Sequence, residues 1–162
     1  AGAYGGEMKD VLIKCRHLDE NGNPGEFAGS ALDFSYRHSA YTDQKLVITG
    51  LTFQLEKGDY SVIKAQMEDY LGRRKARQPL EYPSAGNVFK RPKGYFAGQL
   101  IEECGLKGKT VGGAQVSEKH AGFIVNTGGA TCKDVQSLVK MIQETVRREK
   151  QVELECEIKL MT

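Results

Sequence analysis

Three segments of the chain are predicted to be β-strands. In two of them hydrophobic and polar residues alternate with a period of two, and the first is an apolar-rich segment ended by a turn. The segments are residues 10–18, 45–56 and 152–160. In the third, Val, Leu, Cys and Ile fall on one side, while Glu and Lys fall on the other. In the second, the alternation shifts at Gly50, which predicts a β-bulge at this glycine.

Other segments show the spacing of helices. Apolar residues recur at helical spacing within 61–77, which predicts an amphipathic helix packed on the sheet. A second amphipathic helix follows Thr131 and Asp134, a pair that resembles a capping box. A short helix over 98–104 is expected to end at Gly105. Because strands and helices mix without a regular βαβ alternation, the fold class predicted is α+β.

The composition narrows the function classes. With 162 residues, 40% hydrophobic and 27% charged, the chain has the balance of a soluble globular protein. A net charge of +2 gives no general argument for nucleic acid. The four cysteines lack metal or redox spacing, and no apolar run is long enough to span a bilayer. We therefore predict reduced thiols, no metal site and a cytoplasmic location.

The start of the chain suggests a fragment. The first residue is Ala1, and a glycine-rich turn follows at once over residues 2–7. We expect the N-terminal part of the protein to be missing.

Residues 81–92 form the loop with the clearest ligand-binding potential. Two prolines flank the small residues Ser84, Ala85 and Gly86, where Gly86 permits close approach of the backbone to a bound group. Lys90 and Arg91 then offer charge for an anion. An ordinary turn between two elements is the alternative interpretation.

Three other features have two interpretations each. Arg37 follows Phe34 and Tyr36 and is expected on the opposite side of an extended segment, as a ligand contact or as a surface residue. The basic cluster Arg73–Arg77 either complements a helix C-terminus or binds phosphate. His120 either contacts a ligand or is held by local hydrogen bonds.

Several segments, taken in order, resemble the UDP-N-acetylenolpyruvoylglucosamine reductase (MurB) family. The matching segments are residues 1–7, 36–39, 78–80, 83–86, 88–92, 97–102, 105–108, 113–117, 119–126 and 154–158. Each is weak alone, but the ordered set is specific and covers the chain nearly end to end.

The resemblance implies an oxidoreductase that contains FAD. Such an enzyme takes hydride from NADPH and reduces the enolpyruvyl ether of a UDP-sugar to UDP-N-acetylmuramate for peptidoglycan. It implies that residues 1–80 close an α+β FAD-binding domain of the vanillyl-alcohol-oxidase type and that residues 81–162 form the substrate-binding domain. It also implies that the first FAD subdomain is missing from this chain, and we expect that subdomain to be a partner of it.

The resemblance also assigns roles to three catalytic positions. Arg37 matches an arginine that stabilises negative charge on the substrate, and Glu157 matches a glutamate that acts with it. The family's proton donor, a serine or cysteine, corresponds to Asn87. Ser84 is a different position of the motif. An amide is a poor proton donor, so we predict a crippled protonation step.

The resemblance places further residues around the ligands. Gly2 and Ala3 match the loop beside the flavin, and Lys159 stands where an arginine usually lies near it. The residues implied on the substrate side are Tyr4, Lys90 and Arg91.

Two functions of different class follow from these assignments. The first is a flavin-dependent reductase, of which this fragment alone would be inactive. The second is a sugar-nucleotide binding module without catalysis, which Asn87 and the absent flavin subdomain favour. A nucleic-acid binder resting on the basic cluster is weak, because no aromatic platform accompanies the charge.

Overall fold

The structure is a computed structural model that describes residues 2–160. The chain divides into two compact units, residues 1–70 and 71–162. Each unit combines helical segments with antiparallel strands, so the α+β class predicted from the sequence is confirmed.

The first unit contains a short hairpin and a three-stranded antiparallel sheet. The hairpin pairs β1 (Gly2–Ala3) with β2 (Gly6–Glu7), and 3-10 turns follow at Met8–Asp10 and Gly29–Leu32. The sheet has the order β4-β3-β5, formed by β3 (Leu12–Leu18), β4 (Pro24–Ala28) and β5 (Val47–Phe53).

The bulge predicted at Gly50 is confirmed. Arg16 pairs with Gly50 and His17 pairs with Ile48, so Thr49 is the extra residue of β5. A Cβ on Gly50 would lie 3.0 Å from a guanidinium nitrogen of Arg16. The glycine thus leaves room for the arginine side chain at the point where the register changes.

The core of this unit is small and contains a polar cluster. Leu12, Cys15 and Leu32 are buried. The Tyr41 hydroxyl donates to the carbonyl of Cys15 at 3.0 Å, and Nδ1 of His17 lies 2.9 Å from the same hydroxyl. Because the tyrosine proton is committed to the carbonyl, Nδ1–H is the donor in the second bond. Burial, followed by the hydrogen bond to residue 15, raises the pKa of Tyr41.

The helix predicted over 61–77 is present as α1 (Tyr60–Arg77), but its predicted packing is wrong. None of its residues is buried, and Met67 is 67% exposed. The hydrophobic residues of β5 are exposed as well; they are Val47, Ile48, Leu51 and Phe53. Helical spacing identifies an apolar face but does not determine whether that face is covered.

The second unit is a four-stranded antiparallel sheet with two helices. The sheet has the order β6-β9-β8-β7, formed by β6 (Ser84–Asn87), β7 (Thr110–Val111), β8 (Ala114–Val116) and β9 (Phe123–Asn126). The helices are α2 (Ala97–Glu103) and α3 (Cys132–Lys150).

Both helices of this unit agree with the sequence pattern. Gly105 follows α2 with φ of +66°, as expected of a C-terminal glycine. The buried face of α3 consists of Leu138, Val139, Ile142 and Val146. These side chains join the main core together with residues of α2, β8 and β9.

The strand predicted over 152–160 is wrong. This terminal segment forms one isolated bridge, between Phe89 and Cys156, and is otherwise irregular. The segment around Phe89, with which it pairs, is too short. The chain after Lys90 soon reaches Pro92, which has no N–H to donate. The alternation in the segment is real, but a strand also needs a partner long enough to pair with.

None of the helices among residues 2–160 has both the length and the hydrophobicity needed to cross a membrane.

The capping box of α3 provides a stability prediction. Thr131 Oγ1 accepts from the N–H of Asp134 at 3.1 Å, and Asp134 Oδ2 accepts from the N–H of Thr131 at 2.8 Å. We expect Thr131→Ala to lower the free energy of unfolding by about 1 kcal/mol, because it leaves a helix N–H unsatisfied. Urea denaturation measures this change. Gln136→Ala, at an exposed position of the same helix, is the control, and equal losses in the two variants would contradict the prediction.

Candidate functional site

Arg37 lies at the tip of a tight turn in the first unit. Ser35 and His38 exchange two backbone hydrogen bonds, each of 3.2 Å, so Tyr36 and Arg37 occupy the two central positions. Arg37 has φ of +57°, in the left-handed region that residues with a Cβ rarely adopt. The extended segment expected at Arg37 is therefore wrong, and the direction of its side chain is set by a tight turn.

The base of this turn is fixed to the core. The N–H of Ala40 donates to the carbonyl of the buried Leu32 at 2.9 Å. Nε2 of His38 lies within hydrogen-bond distance of Asp33 Oδ2, at 3.1 Å across the turn, and Tyr41 is anchored by its bond to Cys15. The segment that carries Arg37 is thus tied to the sheet on both sides.

A cavity of about 620 Å³ lies beside Arg37 within this unit. It is lined by Gly2, Ala3, Gly5, Gly6, Glu7, Lys9, Ser35, Tyr36 and Arg37. Lys9 pairs with Glu7 at 2.9 Å, so Arg37 is the cation that, with the glycine backbone, would suit a ligand with a flat face and an anionic group. The two residues assigned to the flavin loop, Gly2 and Ala3, therefore share a cavity with Arg37.

Tyr4, which the sequence places on the substrate side, packs against a helix residue. Its ring stacks on Tyr70 with the centroids 4.5 Å apart and an angle of 7° between the planes. Its φ is +52°, and Gly5 follows with φ of +87°. The hairpin turn thus orients Tyr4 towards Tyr70, and its contact with substrate stays a prediction.

Val88 joins two of the predicted catalytic residues in the second unit. Its N–H donates to the carbonyl of Gly122 at 2.9 Å, and its carbonyl accepts from the N–H of Glu157 at 2.8 Å. Asn87 directly precedes Val88 and pairs with Phe123 of β9. Residues 70 positions apart in the chain are therefore neighbours at one end of the sheet.

Gly122 lies between the side chains of Asn87 and His120. A Cβ on Gly122 would be 2.8 Å from Asn87 Oδ1, 2.9 Å from His120 Cε1 and 3.1 Å from His120 Nδ1. The carboxamide and the imidazole thus flank the same backbone position. Only glycine allows both groups to lie this close to the strand.

The environment of His120 fixes its tautomer. Nδ1 accepts a hydrogen bond from the N–H of Gly122 at 3.0 Å, so the neutral ring carries its proton on Nε2. The ring packs edge to face on Phe123, with centroids 4.9 Å apart. Burial is the main cause that lowers the pKa of His120, and the charge of Lys107 lowers it further while Glu102 opposes this.

The two basic residues of the central loop have intramolecular contacts. Lys90 pairs with the carboxylate of Glu155. The guanidinium of Arg91 lies over the ring of Phe96, 4.0 Å from its centroid, and its Nε donates to the carbonyl of Tyr95 at 3.3 Å. These contacts preorient both cations, and their binding of substrate stays a prediction.

Two further candidates lie on exposed surface. Lys159 is exposed in the terminal segment. The basic residues of the cluster Arg73–Arg77 lie at the C-terminal end of α1, where the helix dipole favours cations. Neither position decides between a structural role and ligand contact.

Sequence analysis missed two residues that hold this site. Gly122 could have been noticed as a glycine inside an apolar strand pattern, which often marks a close approach. Gln143 of α3 gave no signal in the sequence. Its Nε2 donates to the carbonyl of Leu154 at 2.8 Å and so anchors the segment that carries Glu157.

The second unit is thus an antiparallel sheet under two helices, with Asn87, His120 and Glu157 at one end. This arrangement defines an α+β protein with a polar site at the end of its sheet. The profile of the family described as "UDP-N-acetylenolpyruvoylglucosamine reductase, C-terminal domain" matches residues 78–161. The chain belongs to the UDP-N-acetylenolpyruvoylglucosamine reductase family.

Individual relatives extend the match to nearly the whole chain. The UDP-N-acetylenolpyruvoylglucosamine reductases of Caldanaerobacter subterraneus subsp. tengcongensis and Listeria innocua are 52% and 50% identical over 161 residues. The alignments cover 99% of this chain but only 53% and 54% of these relatives. The chain therefore spans about half the length of the curated relatives it matches.

A solved structure also matches nearly the whole chain. The crystal structure of UDP-N-acetylenolpyruvylglucosamine reductase (MurB) from Thermus caldophilus matches with a TM-score of 0.81 and 34% sequence identity. The match covers 98% of this chain and 56% of that one.

Gly122→Ala tests the close approach of Asn87 and His120. The added Cβ would lie under 3.0 Å from atoms of both side chains, so we expect one of them to be displaced. NMR should then show changed chemical shifts for the His120 ring and the Asn87 side-chain amide, with the fold retained. Gly72→Ala, where a Cβ would meet nothing within 4 Å, is the control. Unchanged shifts in Gly122→Ala would contradict the geometry.

Gln143→Leu tests the anchor of the terminal segment. The variant removes the donor to the carbonyl of Leu154, a bond worth about 1 kcal/mol net. We expect faster hydrogen exchange at the amides of Lys90 and Glu157, which bond this segment to its neighbour. Gln136→Leu, at an exposed site on the same helix, should leave both rates unchanged. Equal exchange in the two variants would refute the anchor.

Proposed function

We propose that this chain is the substrate-binding part, together with the closing part of the flavin-binding region, of a UDP-N-acetylenolpyruvoylglucosamine reductase. The reaction is the NADPH-dependent reduction of UDP-N-acetylglucosamine enolpyruvate to UDP-N-acetylmuramate in the cytoplasm. The observation that carries the proposal is the proximity of Asn87 and Glu157, which Val88 joins through its backbone. These are two of the three positions that the family resemblance assigns to catalysis.

The cavity of the first unit supports a cofactor role for its glycine-rich lining. Gly2 and Ala3 line this cavity, and Arg37 supplies a cation in the same cavity. FAD, when bound, would supply the hydride that reduces the double bond of the substrate. The lining supports FAD as the cofactor, and NADPH as the source of electrons follows from the family resemblance.

The side chains of this chain would bind the substrate and control its charge. Hydride addition leaves negative charge that spreads towards the substrate carboxylate, and the guanidinium of Arg37 would stabilise it electrostatically. Glu157 would act with Arg37 on this intermediate. Lys90 and Arg91 would hold the UDP-sugar, because both are cations on the loop that follows β6.

Asn87→Ser tests the catalytic part of the proposal. For this measurement, the chain is joined to the part of the Caldanaerobacter relative that it does not span, and the fusion is loaded with FAD. We expect the serine variant to turn over faster than the asparagine form, by at most the ~10²–10⁴-fold range typical of a general acid. Ser84→Ala is the control, since that serine is outside the proposed machinery. No gain from Asn87→Ser would refute the role given to position 87.

A non-catalytic sugar-nucleotide binding module is the second candidate function. The observation that favours it is Asn87 itself, because a carboxamide cannot act as a general acid near neutral pH. Calorimetric titration of the chain with the UDP-sugar measures binding, and flavin absorbance of the purified protein reports the cofactor. Binding without turnover in the FAD-loaded protein, even with serine at position 87, would favour the module over the reductase.

A further inference from the structure

An amide at position 87 raises the question of which group supplies the proton. Hydride addition to the terminal carbon of the enol ether leaves an electron pair on the neighbouring carbon, and this pair must take a proton. Asn87 lies at the position of the family's donor but has no proton of suitable acidity. A different acid close to Asn87 is therefore needed for turnover.

We propose that the imidazole of His120 is the proton donor of the reaction in this protein. The proposal rests on the proposed function, and its basis is the shared contact of His120 and Asn87 with Gly122. Both side chains come within 3.1 Å of the point that a Cβ of Gly122 would occupy. His120 thus places a titratable group beside the carboxamide that replaces the usual acid.

The hydrogen bond to the His120 ring places the proton of the neutral ring on Nε2. In the neutral ring Nδ1 accepts from the N–H of Gly122, so the proton is on Nε2. In the imidazolium both nitrogens carry a proton, and the bond from Gly122 is released. The loop holds this orientation, because Ser117 Oγ accepts from the N–H of His120 at 3.3 Å. Ser117 is itself buried, with 3% of its surface exposed.

The charged groups that face His120 allow its ring to be either neutral or protonated. Lys107 and Glu102 face it from the end of α2 and the loop that follows, and they pair with each other at 2.7 Å. Gly98 of α2, Phe123 of β9 and Asn87 of β6 present uncharged groups to the ring. Because burial lowers the pKa of His120, the imidazolium is a stronger acid than a solvated one.

The proton-transfer step balances within the reaction. The electron pair on the carbon next to the carboxylate forms a new C–H bond with the proton of Nε2, and the N–H bond of the imidazolium breaks. The ring is left neutral with its proton on Nδ1. Exchange with solvent then restores the Nε2–H form, whose Nδ1 accepts from Gly122, and supplies the next proton. The carboxamide of Asn87 orients the intermediate by hydrogen bonding and changes no charge.

The first measurement uses this chain alone. Long-range nitrogen NMR of the histidine rings between pH 4.5 and 8.5 reports the tautomer and the titration, with and without UDP-N-acetylglucosamine enolpyruvate. We expect Nε2–H in the free chain and an upward shift of the His120 midpoint when the substrate carboxylate binds nearby. Amide shifts near Lys90 without any change at His120 would overturn the proposal. No change anywhere would count against substrate binding, and therefore against the proposed function itself.

The second measurement uses the flavin-loaded holoenzyme. Because the acid is the imidazolium, turnover should fall as the pH rises through the His120 pKa, which lies below the ordinary 6.5. His120→Asn retains an oxygen that can accept from Gly122 but lacks Nε2–H. We expect it to lower turnover about 10²-fold or more and to abolish this pH dependence.

The paired substitution separates a catalytic role from a structural one. Asn87→Ser with His120→Asn should recover the turnover of Asn87→Ser alone, because serine then supplies the proton. A loss that persists in this double variant would mean that His120 is structural, and so would a pH profile that His120→Asn leaves unchanged. Failure of the substrate to reoxidise reduced flavin in both the parent and Asn87→Ser would instead refute the proposed function.

Discussion

The backbone of Val88 is the constraint on which the site in the second unit depends. It bonds to Gly122 on one side and to Glu157 on the other, at 2.9 and 2.8 Å. Val88 is 2% exposed, and a buried peptide group that loses a partner costs about 1–3 kcal/mol. The positions of Asn87 and Glu157 are therefore set by backbone pairing, so a side chain can change at position 87 without moving the frame.

In the first unit, backbone hydrogen bonds likewise set the position of a turn. Arg37 is held with a left-handed backbone conformation by paired hydrogen bonds at Ser35 and His38. The buried Leu32 and the Tyr41–Cys15 bond fix the ends of this segment. A conformation that costs about 1–3 kcal/mol persists only where its surroundings enforce it, and such positions concentrate at functional sites.

Asn87 contributes to the fold through its backbone and to the chemistry of the site through its side chain. Its backbone pairs with Phe123 as part of β6, so the sheet does not depend on the identity of the side chain. The neighbouring Gly122 leaves space for the carboxamide and for the ring of His120 together. A sheet end that accommodates several polar groups can keep its binding geometry while the acid that completes the reaction changes.

The sequence by itself determined the fold class, the ends of α2, the capping box of α3 and the bulge at Gly50, because each depends on local spacing or on a glycine's backbone freedom. It also carried the family, through motifs that keep their order. Tertiary structure alone decided that α1 exposes its apolar face and that residues 152–160 form a bridge instead of a strand. It likewise decided that His120 lies beside Asn87 and that Gln143 anchors the terminal segment. These features depend on which surfaces and strand edges are available after folding. The sequence pattern of one segment does not show which other segments will contact it.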